Sequence, residues 1–132
     1  GSLCLEITES GLIENLELAT QIIQGLSPLK VLLCLDDFGT GYSALGYLHQ
    51  LPIHVLKIDK SFIDNLKTTA NPLIDAILTL AISLELIVIA EGIETAEQLT
   101  ILQKTQCDYG QGFLKSKPVT ATEAILLIHA PL

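Results

Sequence analysis

The sequence predicts a parallel α/β fold, and three observations carry that prediction. Short runs rich in leucine, isoleucine and valine alternate with stretches in which apolar residues recur at helical spacing. The short runs are apolar at successive positions, as in strands covered on both faces. Each run also ends in a residue able to do chemistry, and parallel strands gather their site at their C-terminal ends, in a barrel or a doubly wound sheet alike.

The elements follow in order. Residues 3–7 (LCLEI) are the first strand. Leu12, Leu16, Ala19, Ile23 and Leu26 then repeat at helical spacing, and Pro28 follows that helix. Residues 31–36 (VLLCLD) are the second strand and residues 55–59 (VLKID) the third. Asn71 and Pro72 are a cap and a first-turn proline, opening an apolar helix to residue 84. Residues 86–91 (LIVIAE) are the fourth strand. Thr95 and Gln98 have the spacing of a capping box, for a helix to residue 105. A short fifth strand is expected within residues 107–112, and Thr120 with Glu123 caps a last helix to residue 130. Crossovers between parallel strands are right-handed by default. There is no internal repeat and no low-complexity linker.

Composition narrows the function classes. A chain of 132 residues, 49% hydrophobic and 17% charged, can bury a core and is not disordered in character. A net charge of −8 argues against a nucleic-acid-binding surface. The longest apolar stretch, LIDAILTLAISLELIVIA, is interrupted by Asp75 and Glu85, so no membrane span is expected. Cys4, Cys34 and Cys107 are odd in number and lack metal-ligand spacing, which predicts reduced, buried thiols in a cytoplasmic protein. His49, His54 and His129 form no metal motif. The chain has no methionine and begins Gly1-Ser2, so residues 1–2 read as a tag remnant and residues 3–132 as part of a longer protein.

The strand ends form a constellation. Glu6 closes the first strand, Asp36 and Asp37 the second, Lys57 and Asp59 the third, Glu91 the fourth, and Gln111 follows the fifth. Carboxylates converging from neighbouring parallel strands repel one another, and a divalent cation removes the conflict. Hard oxygen ligands favour Mg²⁺ or Mn²⁺. Adjacent aspartates can serve two ions roughly 3.5–4 Å apart, an arrangement that activates water for phosphoester hydrolysis. A lysine beside them positions water or neutralises phosphate. Any one of these acids alone could equally cap a helix or pair with a lysine. Gly39-Thr40-Gly41 is not a P-loop, because no Gly-Lys-Ser/Thr follows. By strand alternation Cys4 shares a face with Glu6, and Cys34 with Asp36, so both thiols are expected below the acids on a barrel axis.

LEITES, DDFGTGYSAL, LKIDKSFI, IAEGIET and DYGQGFLKSKPV, in that order, resemble the C-terminal half of an EAL domain, over nearly the whole chain. The resemblance implies a (β/α)8 TIM-type barrel, of which this chain carries about five βα units. It also implies a phosphodiesterase that opens cyclic di-GMP to linear pGpG with Mg²⁺ or Mn²⁺. By the same resemblance Glu6, Asp36 and Asp37 are metal ligands, and Lys57 holds the catalytic water. Glu91 is a base or water-mediated metal partner. Glu9 anchors the loop after the aspartate pair, Glu94 supports the site, and Gln111 meets the water network. The loop from Phe38 to Ser43 links the site to a dimer interface.

The departures from the family pattern also have consequences. The namesake Glu-Ala-Leu motif, the arginine after it and the asparagine of the next strand are absent, and Lys115 stands where the family has an aromatic or apolar residue. An incomplete barrel predicts an inactive piece that self-associates through the Phe38–Ser43 region or through open strand edges. A degenerate domain acting as a cyclic di-GMP receptor or interaction module is the alternative, and another phosphoryl-transfer barrel a further one.

Overall fold

In the computed structural model, which describes residues 3–39, 45–66 and 72–129, β-strands and helices alternate throughout. The order is β1 (Cys4–Thr8), α1 (Glu9–Glu14), α2 (Leu16–Leu26), a 3₁₀ turn (Ser27–Leu29), β2 (Leu32–Phe38), α3 (Leu45–Leu48), β3 (Val55–Ile58) and α4 (Lys60–Asp64). It continues with α5 (Pro72–Ser83), β4 (Ile87–Ala90), α6 (Ala96–Leu102), β5 (Tyr109–Gly110) and α7 (Ala121–His129). The strands make one five-stranded sheet in the order β1-β2-β3-β4-β5, every pair parallel. Neighbours in sequence are thus neighbours in space, which is how a βα barrel winds.

The apolar runs place the core. β3 is buried along its whole length. Leu33, Leu35, Leu56, Ile58, Val88 and Ala90 of the sheet meet Ala19 and Ile23 of α2, Ile74, Ile77, Leu78 and Ala81 of α5, and Leu102 of α6 in one cluster. β1 differs, its residues alternating between exposed and half-buried, because it pairs with β2 and with no other strand among the described residues. No helix among the described residues is long and apolar enough to cross a membrane.

Several expected boundaries shift for local reasons. The single helix expected from Leu12 to Leu26 is two helices, because Asn15 leaves helical geometry (φ −148°) and its Oδ1 caps the Leu18 N–H at 3.1 Å. The second strand runs on through both aspartates to Phe38. The fifth shrinks to Tyr109–Gly110, and α6 stops at Leu102 as the chain tightens into Lys104-to-Ile101 and Thr105-to-Leu102 turns. The one-turn helices α3 and α4 are too short to register in the apolar periodicity. Both halves of the Thr95–Gln98 capping box form, and the Glu123 carboxylate accepts from the Thr120 N–H at 2.9 Å. The expected Asn71 cap and residues 40–43 of the expected interface loop lie outside the described residues.

The expectation of uniformly buried thiols is corrected. Cys34 is buried, Cys107 is half-buried, and Cys4 is exposed on the edge strand. Cys34 stands opposite Glu6 in the β1–β2 register. Burial, reinforced by the negative groups around it, pushes its thiol up to about 12.

Candidate active site

The C-terminal ends of β1 to β4 carry the candidate residues to one rim. Lys57 projects from β3, where both flanking strands are paired, and only 6% of it is exposed. Its ammonium donates to three carboxylates from three other strand ends: Glu91 Oε1 at 2.7 Å, Glu6 Oε1 at 3.2 Å and Asp36 Oδ2 at 3.2 Å. A buried lysine is tolerable only when so compensated. Burial opposes its charge, but the hydrogen bonds to Glu91, Glu6 and Asp36 outweigh that and push the ammonium above its ordinary range.

The aspartate pair owes its geometry to one backbone angle. Side chains of adjacent strand residues normally point to opposite faces. Asp37, however, takes the left-handed region at φ 55°, and the β2–β3 register is irregular between Leu35 and Phe38. The alternation breaks there, and both carboxylates turn to the same rim. Asp36 Oδ1 accepts the Asp37 N–H at 2.9 Å, which fixes the turn. Carboxylate oxygens of Asp36, Asp37 and Glu91 lie within 4.8 Å of one another. Burial, then the charges of Asp36 and Asp59, hold the Asp37 carboxyl above the usual carboxylate range, with Lys57 pulling the other way. Partly desolvated acids in conflict, all offering hard oxygen, form a donor set that fits a divalent cation such as Mg²⁺ or Mn²⁺.

The remaining candidates fall around this centre. Glu6 pairs with Lys57 and remains half-exposed; it is outside the oxygen cluster of Asp36, Asp37 and Glu91. Glu9 is wholly buried, and its Oε2 accepts the Gly39 N–H at 2.8 Å, tying the end of β1 to the turn after the aspartates. Glu94 turns away to Lys60, at 2.5 Å. The Gln111 side chain is exposed, and its backbone joins β4 through the Ala90 carbonyl at 2.8 Å. Asp108 is a residue the sequence reading missed: its Oδ2 accepts the Val88 N–H at 2.8 Å and pins β4 to the chain entering β5. An acid just before a strand gives no signal that separates it from a solvated one.

A parallel sheet wound in chain order, with a buried lysine and a cation-ready acid cluster at its C-terminal rim, defines a barrel-type α/β protein with a candidate metal site. The family model for the EAL domain matches residues 1–118, and the chain belongs to that family. It is 44% identical over 117 residues to the Signaling protein YkoW of Bacillus subtilis (strain 168), covering 87% of this chain and 15% of that protein. It is 42% identical over 117 residues to the cyclic di-GMP phosphodiesterase NbdA of Pseudomonas aeruginosa, again covering 87% of this chain and 15% of that protein. The solved structure of the PaMucR phosphodiesterase in complex with c-di-GMP matches with a TM-score of 0.84 at 40% identity, covering 92% of this chain and 50% of that one. The fold is accordingly part of a TIM-type barrel, and the chain spans 15% of the length of each of those two curated relatives.

Proposed function

We propose that this chain is the site-bearing portion of a metal-dependent cyclic di-GMP phosphodiesterase, which opens the cyclic dinucleotide to linear pGpG. The observation that carries the reading is the Lys57 ammonium held by Glu6, Asp36 and Glu91 beside the Asp36–Asp37–Glu91 oxygen cluster. Asp36, Asp37 and Glu91 would hold Mg²⁺ or Mn²⁺, and Glu6 would join them by releasing Lys57. Such ions, when bound, activate water and stabilise the oxygens of a phosphodiester under attack. Lys57 supplies a fixed positive charge to orient water against the phosphate, and the carboxylates hold its Nζ in place. Glu9 supports the turn that carries Asp37. Five strands leave the barrel open beyond β1, so the chain by itself lacks a complete wall around the substrate and is expected to turn over little of it.

Chromatography of cyclic di-GMP incubated with Mg²⁺ or Mn²⁺ tests this reading, using the EAL domain containing this chain and the chain alone. The domain is expected to form pGpG, and Lys57→Ala to slow it by about 10²–10⁴-fold. Binding of cyclic di-GMP without any pGpG would overturn the enzymatic reading in favour of a receptor. Rapid turnover by the chain alone would overturn its dependence on further strands.

A further inference from the structure

The motif LKIDKSFI supplies more than Lys57. Its second half forms α4 (Lys60–Asp64), a single turn directly after β3. α4 is itself firmly held. Asp59 caps it through the Ser61 N–H at 2.8 Å, Ile63 is wholly buried, and the Ile63 carbonyl accepts from Gln98 Nε2 at 3.4 Å.

From this turn two side chains each pack on a glycine with positive φ. Phe62 lies over Gly39 (φ 96°), two residues after Asp37. A Cβ on Gly39 would overlap Phe62 Cε2 and Cζ and stand 3.5 Å from Cδ2. Lys60 lies over Gly92 (φ 72°), one residue after Glu91. A Cβ on Gly92 would stand 2.6 Å from Lys60 Cβ and 2.8 Å from Cδ. Beyond that stem the Lys60 ammonium pairs with Glu94, farther along the same loop. Among the described residues, the glycines with positive φ are these two, one beside the aspartate pair and one beside Glu91.

We infer that α4 is a two-armed clamp that sets the spacing of the cation-binding oxygens, with Phe62 and Lys60 as positioning residues. Phe62 packs on Gly39 while the Glu9 carboxylate accepts the Gly39 N–H, which fixes the end of β2 carrying Asp36 and Asp37. The Lys60 stem grips Gly92, which fixes Glu91. Each arm acts through a close approach that only glycine permits. Because both arms leave one rigid turn, the two ligand-bearing loops are held relative to each other as well as to β3. The clamp deepens the phosphodiesterase reading, and only its metal readout depends on that reading.

Amide exchange by NMR on the full chain tests the clamp directly. Phe62→Ala is expected to speed exchange at the Gly39 amide, and Lys60→Ala at the Ile93 and Glu94 amides, by about tenfold. The Val88 amide, bonded to Asp108, is expected to be unchanged in both. Phe62→Leu, and Lys60→Met, which keeps the stem and loses the charge, are expected to stay within about twofold of the parent. Lys60 is exposed, so its variants fold even where loss of the Phe62 ring does not. Mn²⁺ affinity, read by calorimetry, is expected to fall by about tenfold or more in the alanine variants and to be retained in Lys60→Met. Parent-like exchange at Gly39 and Ile93 in Lys60→Ala/Phe62→Ala would overturn the clamp, as would Lys60→Met behaving like Lys60→Ala. Failure of the EAL domain containing this chain to bind Mn²⁺, with exchange changing as expected, would count against the phosphodiesterase reading and leave the clamp standing.

Discussion

At the scale of single residues, Glu9 and Lys57 are the charged side chains that the fold buries among the described residues, and both do so for a neighbour's sake. A buried carboxylate is costly unless it accepts hydrogen bonds, and Glu9 accepts that of Gly39. Glu9→Ala leaves that N–H without its acceptor, and a loss of about 1–3 kcal/mol is expected in urea unfolding. Glu9→Gln keeps an acceptor oxygen and is expected to lose less. The meeting of Glu6, Asp36, Lys57 and Glu91 was legible in the sequence, because strand C-termini of a parallel sheet face one rim. The left-handed Asp37 was not: aspartate occupies that region often enough to be permitted there, too seldom to be expected. The adjacent aspartates that look self-defeating in the sequence are reconciled by that one angle. The place of Glu9 was legible only through family resemblance, since no spacing rule joins Glu9 to Gly39 across two helices and a strand.

Among the elements, the two capping boxes were read best, because capping is local chemistry. At α7 the Glu123 carboxylate accepts from both the Thr120 N–H and its hydroxyl, and these bonds hold it below the usual carboxylate range. A carboxyl lowered in the folded state stabilises above its unfolded pKa, about 4.3. That stabilisation is lost as pH falls through the folded value. Protection of the α7 amides, corrected for their intrinsic exchange rates, is therefore expected to fall as pH drops below the unfolded value of about 4.3, and E123Q to abolish that dependence. Glycines separate two further elements. Gly25 in α2 has nothing within 4 Å of a Cβ, so Gly25→Ala is expected to stabilise the chain by about 0.5–1 kcal/mol in urea unfolding. A Cβ on Gly112 would press against the backbone of Ile93, 2.6 Å from its carbonyl carbon. Gly112→Ala is expected to destabilise by about 1–3 kcal/mol in the same measurement. The break at Asn15 and the turn of α4 were not legible, since apolar spacing runs on through the first and is too short to register in the second.

For the whole molecule, the parallel sheet and its core were readable from the apolar runs, and the open edge only from the strands that the barrel lacks. β1 alternates in burial because β2 is its partner strand among the described residues. Its outer backbone row and the exposed faces of Cys4, Glu6 and Thr8 form an edge of the kind that recruits another strand. Light scattering of the isolated chain is expected to give a mass above that of one copy. A monodisperse single copy would count against self-association. Pairing strictly in chain order has a further effect, on how the protein is made. Each strand docks on the one synthesised just before it, so among the described residues no strand pair waits for a later, more distant partner. Such a sheet can assemble vectorially as it leaves the ribosome. The order in which these rim residues emerge, Glu6, then Asp36 and Asp37, then Lys57, then Glu91, means that the three acids ahead of Lys57 wait for the lysine strand to draw them together.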